Sequence, residues 1–330
     1  MRTLVMTEPS KGSDRTEVRS TPEPRPGAGE VCIDVVCAGI NFMDVMARRG
    51  DPGYAAAWPY APGLEVAGNI REVGPDVRGL TAGQRVAAFT RGGGLAEVAL
   101  AEAQLVVPLP DEVPFAIAAA APLMLSTALL LLTDVAHFRA GETVLMHSAS
   151  GGIGSAVARL VPVLGGGLRV GTVGRADKVA NARLGGWDAA LVRDDDLIEK
   201  VRASAGGGVN VILDPSGTTL LDVDLDIAAP GARIALFGNP SGAQPAPLPA
   251  LGRLIGGNVV LAGFSMSRLT ATTPARAADA LRRVVDLLAA SKLNIPVTEV
   301  GSLEEVPAAH QLLADGRGSG KYVAVVLPPS

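Results

Sequence analysis

Cysteine is nearly absent from this sequence: its 330 residues hold two, Cys32 and Cys37, both in one strand-like run. A pair so placed supplies no disulfide framework and suits a reducing compartment, so the expected location is the cytoplasm. Histidine is almost as scarce, and His137, His147 and His310 lie far apart along the chain. Each reads as a packed or surface residue sooner than a catalytic one. The opening stretch MRTLVMTEPSKGSD has no apolar core of signal-peptide length, and no internal repeat is visible. A net charge of -4 gives no electrostatic reason for a nucleic-acid or acidic-membrane partner. One long uncharged run exists, FAIAAAAPLMLSTALLLL over 115–132, interrupted by Pro122, Ser126 and Thr127. It reads as two buried helical pieces broken at Pro122 and not as a membrane span.

What the chain does have is apolar mass and turns. It is 48% hydrophobic and 19% charged, with 40 Gly and 24 Pro, which suits a large core, many tight turns and two domains. Through residue 110 the chain is β-rich. EVCIDVVCAGI (30–40), VAGNIREVG (66–74), QRVAAF (84–89), GLAEVALA (94–101) and LVVPLP (105–110) are short runs separated by Gly, Pro and Asp, as in a barrel-like or sandwich-like unit. From about 126 the rhythm changes. Strands at 143–148, 168–174, 189–192, 209–217 and 232–238 alternate with helices of about ten residues, which predicts βαβ units and a parallel, doubly wound sheet. An amphipathic helix at 274–291 and a strand at 321–328 close the chain, so the α/β unit is inserted into a discontinuous first domain.

The stretch HSASGGIGSAVARL (147–160) follows a buried strand and opens a helix. Gly151 and Gly152 permit a tight turn with close backbone approach, and Gly154 lets the helix pack on the sheet. The helix N-terminus then offers N–H groups to a pyrophosphate. At the end of the next strand an NAD site places a carboxylate for the ribose 2′-hydroxyl. TVGRADK instead places Arg175 there, with Lys178 one turn on, favouring a 2′-phosphate and hence NADP(H), while Asp177 keeps NAD(H) open. Pro162 is expected to bend or end the helix that follows the glycines.

These motifs, with AGINFMD (38–44), PGLEVAG (62–68), GLTAGQRV (79–86), LSTALLLL (125–132), FGNPSG (237–242) and GKYVAVV (320–326), resemble the zinc-independent quinone oxidoreductases of the medium-chain dehydrogenase/reductase superfamily across nearly the whole chain. The resemblance implies an α/β protein with a GroES-like β-rich catalytic domain (1–125 and 266–330) and a Rossmann NADP(H)-binding domain (126–265). It implies a homodimer or homotetramer joined through Rossmann edge strands, with NVVLAGF (258–264) the segment that pairs. It places Ser150, Gly151, Gly152, Ile153 and Gly154 at the pyrophosphate and Arg175 and Lys178 at the adenosine phosphate. Phe237, Gly238 and Asn239 line the crevice, and Gly263, Phe264, Ser265 and Thr127 approach the nicotinamide. Lys321 reaches the cofactor from the C-terminal GK. Where many members carry Tyr or His after the third strand, this chain has Val192 and Arg193, with Arg193 the candidate substitute.

Metal-dependent relatives place a zinc thiolate where this chain has Asn41 and an imidazole where it has Leu64, leaving Glu65 alone as a possible ligand; a catalytic zinc needs three. Cys32 and Cys37, five residues apart on a strand, point to opposite faces and do not replace them. No metal is expected. Without a Lewis acid, alcohol oxidation is disfavoured, and reduction of an acceptor that delocalises its own negative charge fits better, a quinone or an enone or enoyl thioester. Asn41 and Tyr54 are the candidates to meet the resulting oxyanion; the bland alternatives are a turn-capping Asn and a surface aromatic. Asp44 reads as a helix cap. Two other functions stay open: an enoyl or alkenal reductase acting on a polyketide-like intermediate, and a crystallin-like protein that holds NADPH without turnover.

Overall fold

The structure is a computed structural model describing residues 1–327. The ends of the expected 321–328 strand and of the 266–330 segment, residues 328–330, lie outside the described residues. The chain divides into two compact units, Met1–Ser126 with Met266–Ser330, and Thr127–Ser265.

The first unit is built round one long strand, Glu30–Ile40, whose residues are buried almost throughout. Its β-branched and small residues fit a pleated surface packed on both faces. It pairs antiparallel with Glu65–Val73, with Val98–Glu102 and, at its far end, with Lys321–Val325. The full sheet runs Val297–Val300, Lys321–Val325, Glu30–Ile40, Glu65–Val73, Arg85–Phe89, Val106–Pro108. A separate antiparallel pair, Arg2–Met6 with Thr16–Ser20, completes the β content. Leu4, Ile33, Val35, Val66, Ile70, Val86 and Leu95 form the core between these layers. The register Tyr322↔Ile40 brings the end of the chain against its first forty residues. Helix Pro274–Ala289 starts with Pro in its first turn and buries Ala277, Ala278, Ala280, Leu281, Val284 and Val285, the helical spacing that its sequence promised.

The long apolar run folds as buried helix in pieces. Phe115–Ala118 is one; after a break at 119–120 the chain turns again through Ala121–Leu125, Ser126–Leu130 and Leu131–Val135. Pro122 thus sits near the start of the second piece, where its missing N–H is least costly. No helix among the described residues is long and apolar enough to cross a membrane. Both cysteines are buried and free. Burial pushes their thiols up to about 11 for Cys32 and about 12 for Cys37, so neither is a ready thiolate.

The second unit is a six-stranded parallel sheet in the order Ala189–Val192, Arg169–Val173, Val144–His147, Val209–Asp214, Ala228–Leu236, Val260–Gly263. This is the doubly wound order, and its direction reverses between Val144–His147 and Val209–Asp214, the place where such sheets open a crevice at their carboxyl edge. Leu145, Val170, Leu197, Val201, Ile212 and Ile234 fill the core on one face. Helix Gly152–Val163 ends one residue after Pro162, two residues short of the helical pattern in the sequence. The segment 243–250 is irregular and exposed, but Leu251–Gly257 forms a short helix held by Arg253, which bridges Asp222 and Asp226.

Candidate functional site

Because all six strands run parallel, their carboxyl ends share one edge, and most sequence-derived cofactor residues gather there. His147 leads into Ser148, which takes a left-handed backbone (φ 60), and Gly151 caps helix Gly152–Val163. The first N–H groups of that helix have no intrahelical acceptor and face outward from its N-terminus. Gly154 is required by packing: a Cβ there would stand 2.5 Å from the carbonyl oxygen of Ala149. Trp187 braces the loop from behind, its indole donating to the Ala149 carbonyl at 3.0 Å. Ser150, Gly151, Gly152 and Ile153 are half-buried at this turn. Phe237 and Gly238 follow strand Ala228–Leu236, with Asn239 donating to the Ala243 carbonyl at 2.7 Å. Gly263, Phe264 and Ser265 end the neighbouring strand, the Phe264 amide continuing the ladder to Leu236.

At the adenosine end three cations were expected, and the structure treats them differently. Arg175 is exposed and closes a two-point pair with Asp177, at 3.0 and 2.8 Å. That hydrogen bond, more than anything else, holds the Asp177 carboxyl below its usual range. Lys178 is buried and has partners of its own. Arg193 lies across the end of strand Arg169–Val173: a Cβ on Gly174 would meet its guanidinium at 2.9 Å. Its NH1 donates to Thr172 Oγ1 at 3.3 Å. A cation therefore covers the position from which an NAD site extends its carboxylate. These are a turn that offers helix N-terminal amides, a glycine at which backbone approaches closely, and a guanidinium lying over the end of strand Arg169–Val173, and they fit a phosphorylated dinucleotide.

The first unit contains a different kind of site. The Lys321 ammonium, 3% exposed, sits 2.5 Å from Glu65 Oε1, 2.7 Å from Asn41 Oδ1 and 2.9 Å from the Ile40 carbonyl. Glu65 is fully buried, and its second oxygen accepts from the Leu123 amide at 2.7 Å. Asn41 Nδ2 donates to Glu65 Oε1 at 3.0 Å and to the Gly39 carbonyl at 3.2 Å. Gly39 leaves the space: a Cβ there would overlap the Glu65 carboxylate at 2.3 Å. All three ammonium protons and both amide protons are thus engaged. Asp44 caps helix Phe42–Arg49 as expected, accepting from the Asn41 amide at 2.8 Å, and its other oxygen takes the Gly63 amide at 3.2 Å. Among the described residues, no three His, Cys, Asp or Glu side chains gather as a metal site requires.

Tyr54 is half-buried in the 51–60 loop, and no hydrogen bond of its hydroxyl ties it to this cluster. Burial raises its pKa, with Asp51 adding to the effect. Thr127 is buried at 5% exposure near the start of helix Ser126–Leu130.

The sequence places Lys321 at the cofactor and leaves Glu65 as a lone possible metal ligand; the structure joins the two. The available signal was a charged residue heading each of two otherwise apolar strands, EVAGNI and KYVAVV, because a charge at such a place must find a partner. The buried set His147, Thr172, Asp214 and Asp224 was also missed. His147 Nε2 lies 2.8 Å from Asp224 Oδ1, and burial pushes the Asp224 carboxyl up to about 6 against the lowering pull of His147.

Comparison with known proteins follows the same division. Residues 27–111 match the alcohol dehydrogenase GroES-like domain, and residues 154–324 match the zinc-binding dehydrogenase family. The chain is 33% identical over 311 residues to a spectinabilin polyketide synthase system protein of Streptomyces orinoci; the match covers 92% of this chain but 13% of that much longer protein. It is 30% identical to a human synaptic vesicle membrane protein VAT-1 homolog-like, covering 91% of this chain and 75% of that one. Among solved structures it is similar to the Escherichia coli quinone oxidoreductase complexed with NADPH (TM-score 0.88, 25% identity, 98% and 100% of the two chains). A mycobacterial protein complexed with NADPH is similar at TM-score 0.87 and 30% identity, over 98% of this chain and 99% of the other.

Proposed function

The chain belongs to the medium-chain dehydrogenase/reductase superfamily, and from that premise we propose that it is a zinc-independent, NADPH-dependent oxidoreductase that reduces a quinone or a similar conjugated acceptor. One observation carries this reading. Where metal-dependent relatives offer a thiolate and an imidazole, this chain has Asn41 and Leu64, and the neighbouring Glu65 is already neutralised by a tethered cation, Lys321. A carboxylate so paired is a poor metal ligand, and an amide and a leucine do not replace the missing two.

When bound, NADPH supplies a hydride. The free amides at the start of helix Gly152–Val163 hold its pyrophosphate, Arg193 reads its 2′-phosphate, and the strand ends at Phe237 to Asn239 and Gly263 to Ser265 bound its pocket. The acceptor's new oxyanion needs a hydrogen-bond donor. Asn41 can serve only by releasing Glu65 or the Gly39 carbonyl, whereas the Tyr54 hydroxyl has no hydrogen-bond partner among the described residues, so Tyr54 is the proposed donor and Asn41 the alternative. Tyr54→Phe is expected to lower kcat about 100-fold while leaving NADPH binding and the melting temperature unchanged. Unaltered kcat would remove Tyr54 from the mechanism.

The polyketide synthase relative favours a second acceptor class, an enoyl thioester, whose enolate makes the same demand on the site. A crotonyl thioester and a benzoquinone, compared at equal NADPH, separate the two by kcat/KM.

For assembly we propose a homodimer formed along the exposed edge strand Val260–Gly263. Val260, Leu251 and Ile255 are all more than half exposed there, a hydrophobic edge that a second copy would cover. Val260→Glu should convert the dimer to a monomer by light scattering; an unchanged mass would place the interface elsewhere.

A further inference from the structure

Strands alternate their side chains, so residues two apart share a face. In the second unit three adjacent strands make the same exchange on the same face at their carboxyl ends. Leu145 gives way to His147, Val170 to Thr172 and Ile212 to Asp214. All three polar residues are fully buried, as is Asp224, which reaches them from helix Leu221–Ile227. A buried polar row is costly to fold unless its members find partners; here His147 and Thr172 are paired through their side chains, while Asp214 Oδ2 and Asp224 Oδ2 accept no hydrogen bond among the described residues. Arg193 can only donate, and it gives NH1 to Thr172 Oγ1 at 3.3 Å. With the His147 ring proton on Nε2, toward the Asp224 carboxylate, Nδ1 is the acceptor for the Thr172 hydroxyl 2.7 Å away. His147 Nε2–H then donates to Asp224 Oδ1 at 2.8 Å. Asp214 accepts from the Ser216 amide at 2.7 Å and anchors the far end of the row.

The outer, half-buried end of this row is the guanidinium that lies over Gly174. We infer that Thr172, oriented by His147 and Asp224, is a positioning residue that parks Arg193 for the 2′-phosphate of the cofactor, and so sets the preference for NADPH over NADH. The inference rests on the reading of Arg193 given above. The Arg193 amide is fixed to the Val173 carbonyl at 2.9 Å, so the backbone is placed by the sheet, and the long side chain is what remains to be ordered. Holding it in place before the ligand arrives removes the ordering cost from binding, an effect of about 2- to 10-fold for one long side chain. The Thr172 hydroxyl meets Arg193, whereas the glycine loop is held by the Thr172 carbonyl, which accepts from the Ala149 amide at 2.9 Å, so loss of the hydroxyl should act on the 2′-phosphate and spare the pyrophosphate turn.

The test compares binding of adenosine 2′,5′-bisphosphate and of 5′-AMP by calorimetry, together with the KM ratio for NADPH and NADH. Thr172→Val keeps the shape and removes the hydroxyl; it is expected to weaken the bisphosphate about 2- to 10-fold and leave 5′-AMP unchanged. Thr172→Ser restores the hydroxyl and should restore the wild-type ratio. A valine variant that weakens both ligands alike, or neither, overturns the inference. Should it fail to fold, Thr172→Ala answers the same question by the same ratio. Arg193→Ala separates the two levels of the argument. If it abolishes discrimination while Thr172→Val does not affect it, the positioning role alone falls; if Arg193→Ala also leaves the ratio intact, the 2′-phosphate reading falls with it.

Discussion

Replacing Lys321 by Met is expected to destabilise the protein by about 3–5 kcal/mol, the cost of leaving a buried charge without its partner. Glu65 is fully buried, and the ammonium 2.5 Å away is the one cation paired with it among the described residues. Without it, the carboxylate keeps only the Asn41 amide and the Leu123 N–H, two neutral donors for a full charge. The same loss frees the Ile40 carbonyl and Asn41 Oδ1, so the junction of strands Glu30–Ile40, Glu65–Val73 and Lys321–Val325 loosens together. The double variant Lys321→Met with Glu65→Gln removes both charges and should recover more than half of the loss, since a buried pair contributes little beyond its own desolvation cost. Urea denaturation of the four proteins forms the cycle. A single-variant loss below about 1 kcal/mol, the range of an exposed pair, would show that the pair is hydrated and not the closed cluster described here.

Arg193→Ala is expected to weaken NADPH roughly 10- to 150-fold while changing NADH little, from the 1.5–3 kcal/mol range of hydrogen bonds to charged groups. Burial lowers the pKa of Arg193 and Asp214 opposes that, yet a guanidinium stays charged throughout the working pH range. Arg175→Asp should do far less, about 5-fold at most, because Arg175 is exposed and already paired with Asp177. Kd values for both dinucleotides by fluorescence titration decide the order. A larger effect at Arg175 than at Arg193 would return the 2′-phosphate to the residue that the strand-end motif singles out.

That contrast shows where sequence reasoning reaches. The βαβ alternation after residue 126 was legible because buried parallel strands are continuous apolar runs, broken by glycine turns at regular intervals. The glycine loop was legible for the same reason, its strand and helix lying on either side of it within the 147–160 stretch. Strands Arg2–Met6 and Thr16–Ser20 were not: TEVRS carries a single apolar residue, and its pairing partner is set by tertiary contact. Helix Leu251–Gly257 was hidden by its glycines, which lower helix propensity, and is held in place by Arg253. The Lys321–Glu65 pair was out of reach because 256 residues separate its members, and nothing local to either names the other. Arg175 and Arg193 look equivalent as letters. Only the register of neighbouring strands places one over Gly174 and leaves the other beside Asp177.

Metal-free reduction with NADPH is open to a single decisive assay. It is tested most directly by following NADPH oxidation at 340 nm with the protein stripped by a strong chelator, against benzoquinone and crotonyl-thioester acceptors, before and after adding zinc. At least one acceptor should be reduced at a rate that neither chelation nor zinc alters. Activity that appears only with zinc, or tight NADPH binding with no acceptor consumed, would contradict it.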